Sequence, residues 1–266
     1  MLSPAARPKA TRRDPAPATG RRETAIRLGT TLAAAAMSGG LAGLVIGGVL
    51  GRLAMRLLAV TSPAGAQGRV TDDLAIVGRI SLTGTLGLAL FTTLVGVIGG
   101  LVYVWVRRVL PTSRAGRVLL FGVFTGSIGG ALFVHDYPSF DYTVLAPAWL
   151  AIVLFVALPL TYGLVVSLLV EVLDAPTGLL RRAPKSVVLG AGAVVMLPTL
   201  PFTGPVILTA FAVALVPRLR RMWFSDLVTL AGSALFALLV LWGLYGLGVD
   251  IESIATNRPS TAPFNP

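Results

Sequence analysis

Charges are widely spaced along this chain. No charged residue falls between Arg27 and Arg52, between Arg79 and Arg107, between Asp141 and Glu171, or between Lys185 and Arg218. An α-helix crosses a hydrocarbon core of about 30 Å in about 20 residues, so apolar stretches of this length predict transmembrane helices. The expected spans cover about 28–50, 82–106, 116–134, 147–170 and 227–248.

A further apolar stretch, Ser186 to Val216, is too long for one simple span. Its 31 residues would make a helix of about 46 Å. Pro198, Pro201 and Pro205 interrupt its centre, each removing a helical N–H donor. Two readings follow, a hairpin of two short legs (about 186–200 and 203–217) or a single broken span. Basic residues concentrate on the cytoplasmic side of membrane proteins. The hairpin places 17 of the 22 basic residues on the side of the N-terminus, the broken span 15. The aromatic residues fit the same arrangement. Tyr103, Trp105 and Trp223 fall at one interface, and Tyr137, Tyr142, Trp149, Trp242 and Tyr245 at the other. The expected fold is therefore an all-α membrane protein, a polytopic helical bundle of about seven transmembrane helices or five plus a re-entrant hairpin. Both versions put the N-terminus in the cytoplasm and the C-terminus outside.

Composition strengthens the membrane reading. Hydrophobic residues make up 55% of the 266 and charged residues 12%, against about 25% charged in typical soluble domains. Net charge is +11, with 22 basic and 11 acidic residues. In a membrane bundle that excess marks the cytoplasmic side, and no nucleic-acid partner is expected. Cysteine is absent and histidine occurs once, which excludes thiolate or multi-histidine metal sites in this chain. No cofactor is expected. Residues 1–27, rich in Pro, Ala and Arg, predict a disordered cytoplasmic tail. The following apolar run is too long for a signal-peptide core, so an uncleaved first span is expected. Residues 28–248 would form the bundle and 249–266 a short external polar tail.

Small residues recur every fourth position in three spans. Ala35, Gly39, Gly43, Gly47 and Gly51 form one stripe, Thr92, Gly96 and Gly100 a second, and Gly122, Gly126 and Gly130 a third. Helices in lipid gain little from hydrophobic association and rely on close backbone approach at such residues. The stripes predict tight packing of the first three spans in a glycine-zipper manner, with a glycine-lined pore or a homodimer face as the alternatives.

Candidate chemistry gathers on the predicted outer face. Arg52 and Arg56 are four residues apart and share a helical face. Asp72, Asp73, His135, Asp136 and Asp141 follow in the two outer loops. External arginines run against the positive-inside tendency and suit an anionic ligand or lipid headgroup. Ion pairing among these same residues is the structural alternative. His135 beside Asp136 has the chemistry of an acid–base pair. Glu171 and Asp174 end the fourth span, where Arg181, Arg182 or Arg221 are candidate partners. No charge falls at a predicted midplane, which weighs against ion-coupled transport. Phosphate-loop and serine-nucleophile motifs are missing.

The stretch Met55-Arg56-Leu57-Leu58-Ala59-Val60-Thr61-Ser62-Pro63, followed by Ala66-Gln67-Gly68-Arg69-Val70-Thr71-Asp72-Asp73, resembles a family of uncharacterised multi-pass membrane proteins of GC-rich bacteria. Gly99-Gly100-Leu101-Val102-Tyr103 and Arg107-Arg108-Val109-Leu110-Pro111 extend the resemblance. That family carries no established activity, so the resemblance implies only a bacterial plasma-membrane protein. Its expected partners are the lipid bilayer and either a second copy or another membrane protein. Three functions remain open from the residues: a non-enzymatic partner-binding protein, a small transporter or channel built on the 197–205 break, and an envelope enzyme with an outer-face site.

Overall fold

The computed structural model describes residues 19–70, 76–79, 81–134, 139–175 and 178–257. Its first element is a long rod. Helix α1 (Thr19–Ala42) runs through a π-helical segment (Gly43–Leu50) into α2 (Gly51–Thr61) without leaving helical dihedrals. Residues 19–27, expected in a disordered tail, therefore form the first turns of this rod. Three further long helices follow, α3 (Leu82–Val106), α4 (Arg114–Phe133) and, after the single-turn α5 (Phe140–Val144), α6 (Ala148–Leu173). The short α7 (Leu179–Arg182) leads to α8 (Lys185–Met196), a 3₁₀ turn (Leu197–Thr199) and α9 (Leu200–Leu215). The two-turn α10 (Pro217–Trp223) precedes α11 (Asp226–Thr256), which extends beyond its expected end.

Serine caps start three of these helices. Ser81 and Ser113 accept from the amides of Gly84 and Gly116 at 3.1 and 3.2 Å, and Ser225 accepts from Val228. Each satisfies an amide that has no partner inside its helix. Asn257, in the left-handed conformation at φ 52°, closes α11.

The glycine stripes set the packing. A β-carbon at Gly39 would strike the Gly96 carbonyl, one at Gly43 the Thr92 carbonyl, and one at Gly100 the Ala35 carbonyl. These contacts align α1 and α3 antiparallel with their backbones touching, as small residues permit. Gly122, Gly126 and Gly130 of α4 lie against Leu164, Leu160 and Val156 of α6 in the same antiparallel manner. Helix α11 runs parallel to α4, since Phe236 stacks on Phe124 and Gly243 meets Ser127. The rod and α3, α4, α6 and α11 thus form a five-helix frame. The end where α1 starts is the near end and the other the far end.

Among the described residues, six helical segments are long and apolar enough to cross a membrane, Lys185–Leu215 included. Contacts show that this segment does not run from end to end. Along α8, Leu189 meets Gly29, Gly192 meets Ala33 and Val195 meets Gly40, so α8 rises parallel to α1. The 3₁₀ turn then lies level with Gly40, Thr93 and Val97, near the middle of α3. Helix α9 comes back: Ile207 and Phe211 pack into the cluster holding Leu28 and Val104, and Ala214 and Leu215 line a cleft with Gly20 and Thr24. A straight continuation would carry Leu215 about 34 Å further from Gly192, away from Gly20. The segment is a re-entrant hairpin with both feet at the near end, the arrangement favoured by the basic residues. The frame and hairpin together give five end-to-end helices plus a hairpin that turns back at mid-height, the second of the two arrangements expected from the sequence.

The far end is closed by short structure. Val70 and Ile76 form an isolated antiparallel bridge. Gln67 Nε2 donates to the Ala59 carbonyl at 2.5 Å, and the Ala146 amide donates to Ser62 Oγ at 3.1 Å. Leu58, Val77, Val134, Tyr142 and Leu247 pack beneath them as an apolar cluster.

Candidate functional site

The sequence pointed to the far end. There α2 carries Arg52 and Arg56 one turn apart, on one face as the spacing requires. Arg56 reaches the Gly78 carbonyl at 3.5 Å, a marginal bond. The Arg52 guanidinium lies beside Gly84, and its Nε is buried with no hydrogen-bond partner among the described residues. Asp141 is buried in the single turn of α5. Asp72, Asp73, His135 and Asp136 lie outside the described residues. The two arginines and Asp141 thus share one end of the bundle.

The fully described polar cluster lies at the near end instead, around the last turn of α3. Tyr103 donates its hydroxyl proton to Glu171 Oε1 at 2.8 Å. Arg117 grips the same carboxylate with two bonds, Nε to Oε1 at 3.0 Å and Nη2 to Oε2 at 2.8 Å. A third bond takes Arg117 Nη1 to the Thr112 carbonyl at 2.7 Å. Four residues after Tyr103, Arg107 donates to Asp174 Oδ2 at 3.0 Å, and Thr31 of α1 donates to Asp174 Oδ1 at 3.0 Å. Arg108 donates to the Trp223 carbonyl and to Thr229 Oγ1 and stacks on Phe224 at 4.3 Å. Ser233 donates to the Val109 carbonyl at 3.0 Å. Residues 103–109 therefore bind the end of α6 and the start of α11 directly, and reach α4 through Glu171 and α1 through Asp174.

This hub adds partners that the sequence did not single out. Arg117 binds Glu171 and Arg107 binds Asp174. The reason is neighbourhood: α3 and α4 deliver their arginines to the end of α6, whereas Arg221 lies on α10 beside the start of α1. Sequence carried one usable signal, since Arg107 and Arg117 flank the α3–α4 turn expected on the same side as the end of the fourth span. Chemically the hub is a lock. Both carboxylates are neutralised by arginines in bonds that leave little room for proton transfer or ligand exchange.

A second polar feature lies at the hairpin apex. Thr199 and Thr203, both buried, place their hydroxyls 3.3 Å apart. Thr199 also donates to the Met196 carbonyl at 2.8 Å and Thr203 to the Thr199 carbonyl at 3.0 Å. Proline has no N–H, so Pro198 and Pro205 leave the Val194 and Pro201 carbonyls without their usual helical donors. The threonine hydroxyls bond other carbonyls, those of Met196 and Thr199, and so satisfy their own donors within the buried apex.

No protein-family model, curated protein or solved structure matches this chain.

Proposed function

We propose that this is a non-enzymatic protein of the bacterial plasma membrane that works by holding a second copy or another membrane protein. The carrying observation is how the polar and small residues are used. The carboxylates of Glu171 and Asp174 are bound by Arg117 and Arg107 in the hub, and the glycine faces of α1, α3, α4 and α6 are packed within the chain in the manner of a glycine zipper. Between the two ends, what remains outward is largely apolar. Helix α11 touches mainly α4 and turns Leu227, Leu230, Leu238 and Trp242 away from the frame. The near end, rich in arginine, is the cytoplasmic one in this reading, so the N-terminus is inside and the end of α11 outside.

Transport is the second reading, and the hairpin favours it. Broken helices at membrane depth are tolerated where they are buried in protein or line a water-filled path, and in transporters they often bound the substrate site.

One experiment separates the two. The chain has no cysteine, so single cysteines can be placed at Ile46, Ile98, Ile128 and Leu200. A dry scaffold leaves all four unreactive to polar thiol reagents, while controls at Ser113 and Ser139 react. Labelling of the interior sites from water defeats the scaffold reading and establishes an aqueous path.

A further inference from the structure

The foot of the hairpin forms a basic cleft at the near end. Its volume is about 730 Å³. Arg21 of α1 faces it from one side, Arg220 and Arg221 of α10 from the other, and Leu215 and Phe224 supply apolar wall. No carboxylate among the described residues lines it. The nearest acid along α1, Glu23, is already paired with Arg27 at 2.6 Å. Three cations from two separate elements thus converge without an anion among the described residues that line the cleft.

Its depth is specific. The hairpin apex lies at mid-height of the frame, and the sixteen residues of α9 descend about 24 Å from it, less any tilt. The hydrocarbon core ends about 15 Å from the midplane, and the headgroup layer extends to about 20–22 Å. Trp223 meets Trp105 and Phe224 meets Arg108 at the end of α3, so Leu215 and the arginines that follow are held at headgroup level. Leu219 and Met222 of α10, and Phe224 after it, are exposed beside the cleft. A cation cluster with apolar surface next to it matches a lipid that offers a phosphate and a pair of chains.

We infer that this cleft binds the phosphate of an anionic glycerophospholipid from the leaflet at the near end, with Arg21, Arg220 and Arg221 as its ligands. Guanidinium groups suit this task, since each presents paired donors to phosphate oxygens and stays charged. Basic pockets between helices on the cytoplasmic side are known places for such headgroups. The site goes beyond the scaffold reading and does not depend on it. It ties the hairpin foot to α1 through a lipid, where the chain itself supplies no side-chain bond.

The test is native mass spectrometry of the full chain released from nanodiscs containing phosphatidylglycerol or only phosphatidylcholine. The triple variant Arg21→Gln, Arg220→Gln, Arg221→Gln is compared with a charge-matched control, Arg114→Gln, Arg182→Gln, Arg218→Gln, whose residues lie outside the cleft. The inference expects phosphatidylglycerol to be retained by the native chain and the control, and retention to fall about tenfold or more in the triple variant. Equal loss in both variants overturns it, because the attraction would then be the general positive field of that face. Equal retention in all three proteins overturns it too. Full displacement of the lipid by millimolar inorganic phosphate, with no preference between the two nanodiscs, would assign the cleft to a soluble anion instead. Retained melting temperature and monodispersity of both variants keep unfolding from imitating the loss.

Discussion

Arg117 and Glu171 meet through two parallel bonds, and the Tyr103 hydroxyl completes the coordination of the same carboxylate. Their side chains are 21% and 13% exposed, so the pair is largely withdrawn from water. Removing one partner of such a pair strands the other. Arg117→Leu should therefore lower stability by about 3 kcal/mol. Replacing both, as Arg117→Leu with Glu171→Leu, should recover much of that loss, since no buried charge then lacks a partner. Thermal melting of the purified protein, followed by tryptophan fluorescence, measures both. A double variant as unstable as the sum of the single variants would show that the two residues are not coupled.

Some glycines touch the backbone of another helix, and others face open space. At Gly39 and Gly96 a methyl group would press on carbonyl groups of the facing helix, which cannot rotate aside. Gly39→Ala and Gly96→Ala should each cost about 1–3 kcal/mol by forcing α1 and α3 apart. Gly190 and Gly248 have no atom within 4 Å of the position a β-carbon would occupy. Alanine there should be neutral or stabilising by up to about 1 kcal/mol, because it favours the helix. The same melting assay ranks the four.

Arg108 joins the end of α3 to the start of α11 by planar stacking and directed bonds, not by charge alone. Lysine retains the charge but loses the flat fork. Arg108→Lys should therefore behave like Arg108→Ala and speed amide exchange across residues 223–229 about tenfold, by local opening of this junction. Exchange rates unchanged in the lysine variant would mean that a point charge is enough.

Much of this architecture was legible in the charge spacing. The stretches 82–106, 116–134 and 147–170 correspond closely to Leu82–Val106, Arg114–Phe133 and Ala148–Leu173. Lipid imposes that legibility, because an apolar run of fixed length has few other uses. The four-residue glycine period likewise announced which helix faces would pack, though not that Gly39 would face Gly96. Helical turns at 19–27 escaped the same logic, since polar residues extend a helix beyond the membrane without an apolar signature, and at 51–61 the one hint was the four-residue spacing of Arg52 and Arg56. The hub was only half visible. Ion pairs between helices depend on which helices become neighbours, and the neighbours of α6 are fixed by glycine contacts far from Glu171 and Asp174. Of the far-end residues singled out from sequence, Arg52, Arg56 and Asp141 do share one end of the bundle, with the Arg52 Nε buried and unpartnered among the described residues.

The re-entrant hairpin is the central structural claim, and sidedness tests it most directly. Single cysteines at Ser186 and Arg218, at the feet of α8 and α9, can be probed with a membrane-impermeant thiol reagent in intact cells and in inverted vesicles. Both positions are exposed at the near end. The account predicts that both react only in inverted vesicles, together with a cysteine at Ser113, while one at Ser139 reacts only in intact cells. Reaction of positions 186 and 218 from opposite sides would contradict it, and would make Lys185–Leu215 a sixth full crossing.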